Sequence, residues 1–211
     1  MTHKDTPATK LQTWLDVIER GAVTVLYCWL FFRLLDGFGE NGEFTNILPL
    51  ISEGLVVVFM LVRRTSSQVS RNAGDWLLAF AATCAPLLVA PKLGSSLVVP
   101  LAGAMVWLVG MLIQLHAKVV LGRSFGLVPA NRGLKISGPY RLVRHPMYLG
   151  YLLTHVAFFA LNPSTWNFAV YFACYCLQIP RLLAEERLLR KDPEYVSYES
   201  AVRYRLLPGV F

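Results

Sequence analysis

The residues most able to do chemistry fall into two short segments near the C-terminal end of the sequence. The first is SGPYRLVRHPMYLG, residues 137–150. Pro139 and Pro146 each remove a backbone donor and fix φ, and Gly138 adds backbone freedom. At a membrane boundary, such irregular backbone is tolerated where it lines a cavity. Because proline suits the first turn of a helix, we expect a helix to begin at His145-Pro146.

The second segment is RLLAEER, residues 181–187, in which Glu185 and Glu186 stand side by side. Glu185 lies 40 residues after His145, and between them are two apolar runs joined by the turn NPS at residues 162–164. If both runs cross a membrane, the hairpin returns both carboxylates to the side on which His145 lies. Two carboxylates beside an arginine and a histidine can bind a charged, amine-bearing ligand. They can equally pair with the arginines of their own helix as a solvated face.

The composition of the sequence indicates an integral membrane protein. Of the 211 residues, 55% are hydrophobic and 16% are charged, and the mean hydropathy is +0.48. A soluble domain contains about 25% charged residues, so a soluble core could not hide this much apolar surface, whereas lipid can cover it. We therefore predict an all-α fold, a polytopic membrane bundle of about five to six transmembrane helices. The six apolar runs cover residues 21–35, 44–62, 76–90, 97–117, 147–161 and 166–179.

The distribution of charge predicts how these spans are oriented. The net charge is +7, and of the 20 Lys and Arg residues only Arg33 and Lys92 fall outside the segments on one side of a six-span arrangement. Under the positive-inside rule, this side is the cytoplasm and both termini lie in it. The basic loops then face the anionic headgroups of the bilayer, so we expect no nucleic-acid partner.

The sequence divides into two regions of different character. Residues 1–117 hold little that could do chemistry and are predicted to be N-terminal scaffold helices. Residues 118–211 hold a basic loop, a helical hairpin and an amphipathic tail, and we predict that the chemistry lies there. The four cysteines lie inside apolar runs without CxxC spacing, so we expect neither a disulfide framework nor a metal site.

The motifs of the second region resemble a known family. RHPMYLG, preceded by SGPYRLV and followed after the hairpin by EERLL, is similar to the isoprenylcysteine carboxyl methyltransferase family, and so is the ending DPEYVSYESAVRYRLLPGVF. The wider group includes membrane phospholipid N-methyltransferases. The resemblance covers roughly residues 118–211 and implies that S-adenosylmethionine binds at the cytoplasmic ends of the last helices. No Rossmann domain is implied, in agreement with the lack of a GxGxxG-type loop.

The resemblance also implies which residues form the site. The cofactor pocket would be made by ten residues: Leu134, Gly138, Pro139, Tyr140, Arg144, His145, Tyr148, Gly150, Glu185 and Glu186. The catalytic candidates are Arg203 and Arg205, which match the basic end of the family pattern and could meet the substrate, together with Glu186. An ionised carboxylate acceptor needs no general base, whereas an amine arrives protonated and needs one. Either glutamate, or His145, could then serve.

The expected substrate is lipophilic, either a small hydrophobic molecule or a prenylated one. Polar groups inside apolar runs tend to be functional, so His116 and His155 are candidates to contact it, with Arg181 at the end of the last run. Hydrogen bonding between helices is the other interpretation of the two histidines. The sequence does not predict the oligomeric state.

Three other functions are compatible with parts of the sequence. The first is methylation of a phospholipid or other amine. The second is an NADPH-dependent membrane sterol-type reductase, since those enzymes carry similar motifs at Arg144–Gly150 and Tyr195–Pro208; the Glu185-Glu186 pair favours the methyltransferase. The third is a transporter or membrane scaffold, although the sequence shows neither repeated halves nor interrupted helices at mid-membrane.

Overall fold

The computed structural model of the chain describes residues 10–41, 47–64, 66, 69–90 and 100–210. This part of the chain is all α-helical, as predicted, with one isolated β-bridge between Val69 and Ala130. Its seven α-helices are α1 (Lys10–Asn41), α2 (Ile47–Val62), α3 (Ala73–Cys84), α4 (Pro100–Leu121), α5 (Pro146–Leu161), α6 (Thr165–Leu189) and α7 (Pro193–Ala201).

The ends of the C-terminal helices follow from local sequence signals. Pro146 occupies the first turn of α5, so the predicted start at His145-Pro146 is confirmed. The side chain of Ser164 accepts a hydrogen bond from the N–H of Asn167 and caps α6, which places the predicted turn between α5 and α6. Asp192 caps α7 in the same way. α6 is longer than the apolar run that predicted it and carries both glutamates on its last two turns.

Helices α5 and α6 follow one another along the chain but pack against different neighbours. α5 packs along α4, and α6 packs on α3, while α5 and α6 touch each other little. The α4–α5 contact is close because Gly110 and Gly150 face each other across it. A Cβ added at Gly150 would lie 2.7 Å from the Gly110 carbonyl oxygen. The two members of the hairpin therefore meet mainly through aromatic side chains, such as His155 and Tyr171 with ring centres 4.8 Å apart.

One helical segment in the described part of the chain is long and apolar enough to cross a membrane. It runs from Leu101 to Ser124, has a mean hydropathy of 1.8, and only 28% of its most apolar window is buried, unlike the core helix of a soluble protein. Two shorter apolar helices cover Ala73–Leu88 and Pro146–Leu161. The other predicted spans are not established by length and composition, and residues 44–46 and 97–99 of two predicted runs lie outside the described residues.

A buried ionic cluster joins α1 to the loop that follows α4. Asp16 and Glu19 of α1 lie 2.7 and 3.0 Å from the guanidinium nitrogens of Arg63. Glu19 also pairs with Arg132 at 2.6 Å. The prediction that residues 1–117 are scaffold helices with little that could do chemistry did not mention this cluster, because its members are far apart in sequence.

Candidate active site

The carboxylate of Glu186 is the most heavily bonded side chain at the end of α6. It is fully buried, and its Oε1 lies 3.2 Å from Nε2 of His145 and 3.3 Å from Nε of Arg144. Its Oε2 accepts a hydrogen bond of 2.8 Å from Nε of Arg205 and a longer one of 3.4 Å from Arg190. The predicted return of the hairpin to His145 is confirmed by these contacts.

These partners fix the protonation state of Glu186. Burial alone would raise the pKa of this carboxyl, but the hydrogen bonds from His145 and Arg205, with the charge of Arg144, lower it to about 2. The carboxylate therefore stays ionised at neutral pH and is fully occupied by groups of its own chain.

The C-terminal segment after α7 packs against the Arg144-His145 pair. The backbone N–H groups of Arg144 and His145 donate to the carbonyl oxygens of Tyr204 and Arg205, each at 2.9 Å. The hydroxyl of Tyr198 on α7 donates to the carbonyl of Tyr140 at 2.6 Å. Through these bonds, the segment after α7 holds the Arg-His pair in place in front of α6.

Glu185, the neighbour of Glu186, faces a cavity instead. Its Oε2 accepts a hydrogen bond of 3.1 Å from the hydroxyl of Tyr148, and no cation of the described chain lies within salt-bridge distance of it. The cavity has a volume of about 90 Å³. Of the ten residues predicted to hold the cofactor, six line this space: Leu134, Tyr140, Arg144, His145, Tyr148 and Glu185.

The hydroxyl of Tyr140 in this cavity remains neutral. Burial, and then the nearby charge of Glu185, raise its pKa well above the ordinary value. It can therefore act only as a neutral hydrogen-bonding group. Glu185 is the one carboxylate among the described residues that line this cavity, and four cations, Arg132, Lys135, Arg144 and Arg181, line it as well. The site is therefore suited to a ligand that carries both a positive and a negative group.

Four predicted cofactor residues lie elsewhere. Gly138 and Pro139 form a 3₁₀ turn, and Gly138 has φ of +57° and packs against Val120 of α4. Gly150 lies in the α4–α5 contact, and Glu186 is enclosed by its arginine and histidine partners. None of the four is among the residues that line the cavity.

The predicted catalytic and substrate residues are also separated by the structure. Arg205 is engaged with Glu186, and Arg203 is exposed. His116 is exposed on α4, and its Nε2 lies 3.2 Å from the position that a Cβ added at Gly138 would take. In contrast, His155 and Arg181 both line a second, larger cavity.

This larger cavity is lined by residues of α5 and α6 together with residues of α1, α3 and α4. Its volume is about 520 Å³, and most of its wall is apolar. Two cations, Lys118 and Arg181, are part of its lining, and none of the described residues that line it is an aspartate or glutamate. Four residues line both cavities and so form the boundary between them: Leu127, Met147, Tyr151 and Arg181.

Arg181 is a buried cation with no carboxylate of the described chain within salt-bridge distance, although the charge of Glu185, one turn further along α6, acts on it. It is 7% exposed, and its Nη2 donates to the carbonyl of Leu127 at 3.0 Å. Its Nη1 donates to the hydroxyl of Thr83 at 3.3 Å, and its guanidinium carbon lies 5.6 Å from the centre of the Tyr148 ring. Its Nε has no hydrogen-bond partner among these residues. Because a buried charge is costly without an opposite charge, this position is suited to an anionic ligand group.

Sequence reasoning missed the wall between the two cavities. Leu127 and Thr83 contact Arg181, but neither carries a recognisable motif. Gln178, one turn before Arg181 and also in the larger cavity, is a buried polar residue within the last apolar run and could have been found by that signal.

Comparison with known proteins finds a family to which this region is similar. Residues 97–192 match the model of the phospholipid methyltransferase family. The match extends over α4, α5 and α6 and so includes both glutamates and Arg181. It confirms the group of membrane methyltransferases that the motifs indicated. No curated protein is similar enough to the chain to match it.

Proposed function

From this membrane methyltransferase family, we propose that the chain is an S-adenosylmethionine-dependent methyltransferase whose acceptor is a lipophilic acid. One observation carries the proposal: Glu185 faces the smaller cavity with no cation of the described chain within salt-bridge distance, and the buried Arg181, one helical turn earlier, stands between that cavity and the larger one with no carboxylate within that distance. The two charges are suited to a cationic methyl donor and an anionic acceptor, respectively.

The residues of the smaller cavity fit the donor. S-adenosylmethionine supplies an electrophilic methyl group on a sulfonium and carries an α-ammonium group. Glu185 would hold positive charge, with Tyr148 fixing the orientation of its carboxylate at 3.1 Å. Because the cavity of about 90 Å³ is smaller than this cofactor, we expect binding to widen it, with the loop that carries Leu134 moving outward.

The larger cavity supports a lipophilic acceptor. Its apolar wall can bury a hydrocarbon chain, and the absence of acidic residues from that wall favours an acid group next to Arg181. A carboxylate is already ionised at neutral pH, so the protein needs only to orient it and exclude water. This favours O-methylation of a carboxylate, of which a prenylated cysteine is one example.

Methylation of an amine is the second candidate function, and it requires different chemistry from the protein. An amine needs a general base, and Glu186 is occupied by three arginines and a histidine. Glu185 would then have to serve both donor and base. A phospholipid could still bind Arg181 through its phosphate.

We further propose that the chain crosses the membrane several times, with the site at the cytoplasmic surface. The outer face of α1 supports this, since it exposes Trp14, Ile18, Val25, Trp29 and Phe32. Exposed leucine, valine and methionine side chains follow one another along α4 in the same way. A belt of this kind is stable when lipid covers it.

Ligand binding tests the class of enzyme. We would measure the binding of radiolabelled S-adenosylmethionine and of NADPH to the full chain in detergent micelles. The proposal expects saturable binding of S-adenosylmethionine only. Binding of NADPH alone would refute it in favour of the reductase, and binding of neither would favour the transporter or scaffold.

A second experiment tests the acceptor. Oleate serves as a probe for a lipophilic carboxylate, and we expect Arg181→Gln to abolish its binding. Arg187→Gln is the matched control, because Arg187 lies on the same helix with 65% of its side chain exposed.

Lipid extracts from cells with and without the enzyme would then be compared by mass spectrometry. Base-labile methyl groups are expected, since esters hydrolyse and N-methyl groups do not; base-stable ones would establish the amine alternative.

A further inference from the structure

A carboxylate of α1 reaches the wall between the two cavities, although α1 lies outside the matched residues 97–192. Glu19 is fully buried. Its Oε1 accepts hydrogen bonds from the backbone N–H groups of Leu127 at 2.8 Å and Val128 at 2.9 Å. Its Oε2 pairs with Arg132, which also lines the smaller cavity.

The bonds of Glu19 and Arg181 meet on a single peptide unit. The N–H of Val128 and the carbonyl of Leu127 belong to the same planar amide group. Glu19 holds its N–H end, and the guanidinium of Arg181 donates to its oxygen at 3.0 Å. Because the amide is rigid, fixing one end fixes the direction of the other, and hydrogen bonds in such a chain polarise and strengthen one another.

We infer that Glu19 is a positioning residue for the acceptor: through the Leu127–Val128 peptide, it holds Arg181 in the orientation that receives the acid group. This inference rests on the proposed function, because it assigns the acid group to Arg181. It also makes α1 part of the working site and not only a scaffold helix.

Asp16 provides a matched control in the same cluster. It is buried to the same degree as Glu19, and it pairs with Arg63 at 2.7 Å and with Arg20 at 3.2 Å. Within the described residues, its carboxylate does not accept a hydrogen bond from the backbone of the loop, and Arg132 lies 3.9 Å from it. Asp16→Asn therefore weakens the ionic cluster while leaving the peptide contact of Glu19 unchanged.

The test compares Glu19→Ala, Glu19→Gln and Asp16→Asn in the full chain, with oleate affinity, S-adenosylmethionine affinity and thermal unfolding as readouts. In metal sites, loss of a residue that orients a metal ligand costs about 10–100-fold in affinity, and we use the lower end as a guide for Arg181. We expect Glu19→Ala to weaken oleate binding by about tenfold or more and S-adenosylmethionine binding by less. Glu19→Gln should restore part of the loss, because an amide oxygen still accepts from the two N–H groups.

The binding results distinguish failure of the positioning role of Glu19 from failure of the acceptor site at Arg181. If Asp16→Asn weakens oleate binding as much as Glu19→Gln at a similar unfolding temperature, or if both Glu19 variants bind oleate like the wild type, the positioning role is refuted. If Glu19→Ala does not fold, the comparison of Glu19→Gln with Asp16→Asn decides. If Arg181→Gln itself binds oleate normally, the proposed acceptor site fails, which distinguishes that failure from failure of the Glu19 inference alone.

Discussion

The two adjacent glutamates of α6 should fail in different ways when each is replaced by glutamine. Glu186 is enclosed, and its charge faces Arg144, Arg205 and Arg190 at 2.8–3.4 Å. Glutamine keeps the volume but removes the charge that the buried Arg144 faces, although Arg144 and Arg190 still pair with Glu199. Breaking a fully buried ion pair costs about 3–5 kcal/mol, and we expect the lower end of this range because Glu199 remains. For a chain of this size, 1 kcal/mol corresponds to about 2–4 °C, so we expect Glu186→Gln to lower Tm by about 10 °C.

Glu185→Gln should change Tm little and S-adenosylmethionine affinity strongly. Its carboxylate loses at most the bond from Tyr148, which is worth about 1 kcal/mol, so Tm should fall by a few degrees only. A hydrogen bond to a charged group is worth about 1.5–3 kcal/mol, so S-adenosylmethionine affinity should fall by about 10- to 150-fold. Glu194→Gln on the exposed face of α7 is the control for loss of one negative charge.

The assay is thermal unfolding followed by circular dichroism in detergent, with isothermal titration calorimetry for the cofactor at a temperature below all transitions. If Glu186→Gln keeps the wild-type Tm and loses the cofactor, then Glu186 and not Glu185 faces the donor. The burial and ion-pair reasoning used for this end of α6 would then be refuted.

Two further predictions concern acid stability and helix packing. Because the pKa of Glu186 is lowered from 4.5 to about 2 on folding, its stabilising contribution is complete above about pH 4.5 and is lost as the pH falls from there towards 2. The Tm difference between wild type and Glu186→Gln should therefore be constant from neutral pH to about pH 5 and shrink below it; a difference independent of pH down to about 3 would contradict this. Gly150→Ala should destabilise the protein by about 1–3 kcal/mol, because the added Cβ would lie 2.7 Å from both Gln114 Cβ and the Gly110 carbonyl oxygen. Gly21→Ala, in the interior of α1 with nothing within 4 Å of the added Cβ, should instead stabilise it slightly in the same unfolding assay.

The C-terminal half of the fold was predictable because its signals are local. Pro146 marks the start of α5, and the sequence NPS at residues 162–164 marks the turn before α6. Given those two boundaries, an even crossing brings His145 and Glu186 together, and the structure confirms their contact at 3.2 Å. The span lengths were less predictable: α1 has 32 residues, about twice its apolar run of residues 21–35, because polar flanks continue the helix.

Which glutamate faces the cavity could not be predicted from the sequence. Adjacent residues on a helix point about 100° apart, and only the positions of Arg144 and Arg205 decide which carboxylate they enclose. The motif match likewise gave no means to see that Arg205 is engaged with Glu186 while Arg203 is exposed.

The contact between Glu19 of α1 and the loop after α4 was even harder to predict from the sequence. Glu19 lies 108 residues before Leu127, and no local pattern links an acidic residue in a helix to backbone N–H groups so far along the chain. Only the packing of α1 and α2 beside α4 brings them together.

The separate packing of α5 and α6 has a consequence for how the proposed methyltransferase can diverge. α5 is anchored to α4 and α6 to α3, and Gln178 belongs to the second anchor because it donates to the Ala82 carbonyl oxygen of α3 at 3.3 Å. His155 and Phe158 of α5 line the cavity and contact α6 through the rings of Tyr171 and Tyr175. These two side chains can therefore be exchanged at less cost to the bundle than Gln178. We expect related proteins to change their preferred lipid through such substitutions, so that acceptor range varies while the ionic network around Glu186 stays constant. A library restricted to these two positions is accordingly the economical route to new acceptors.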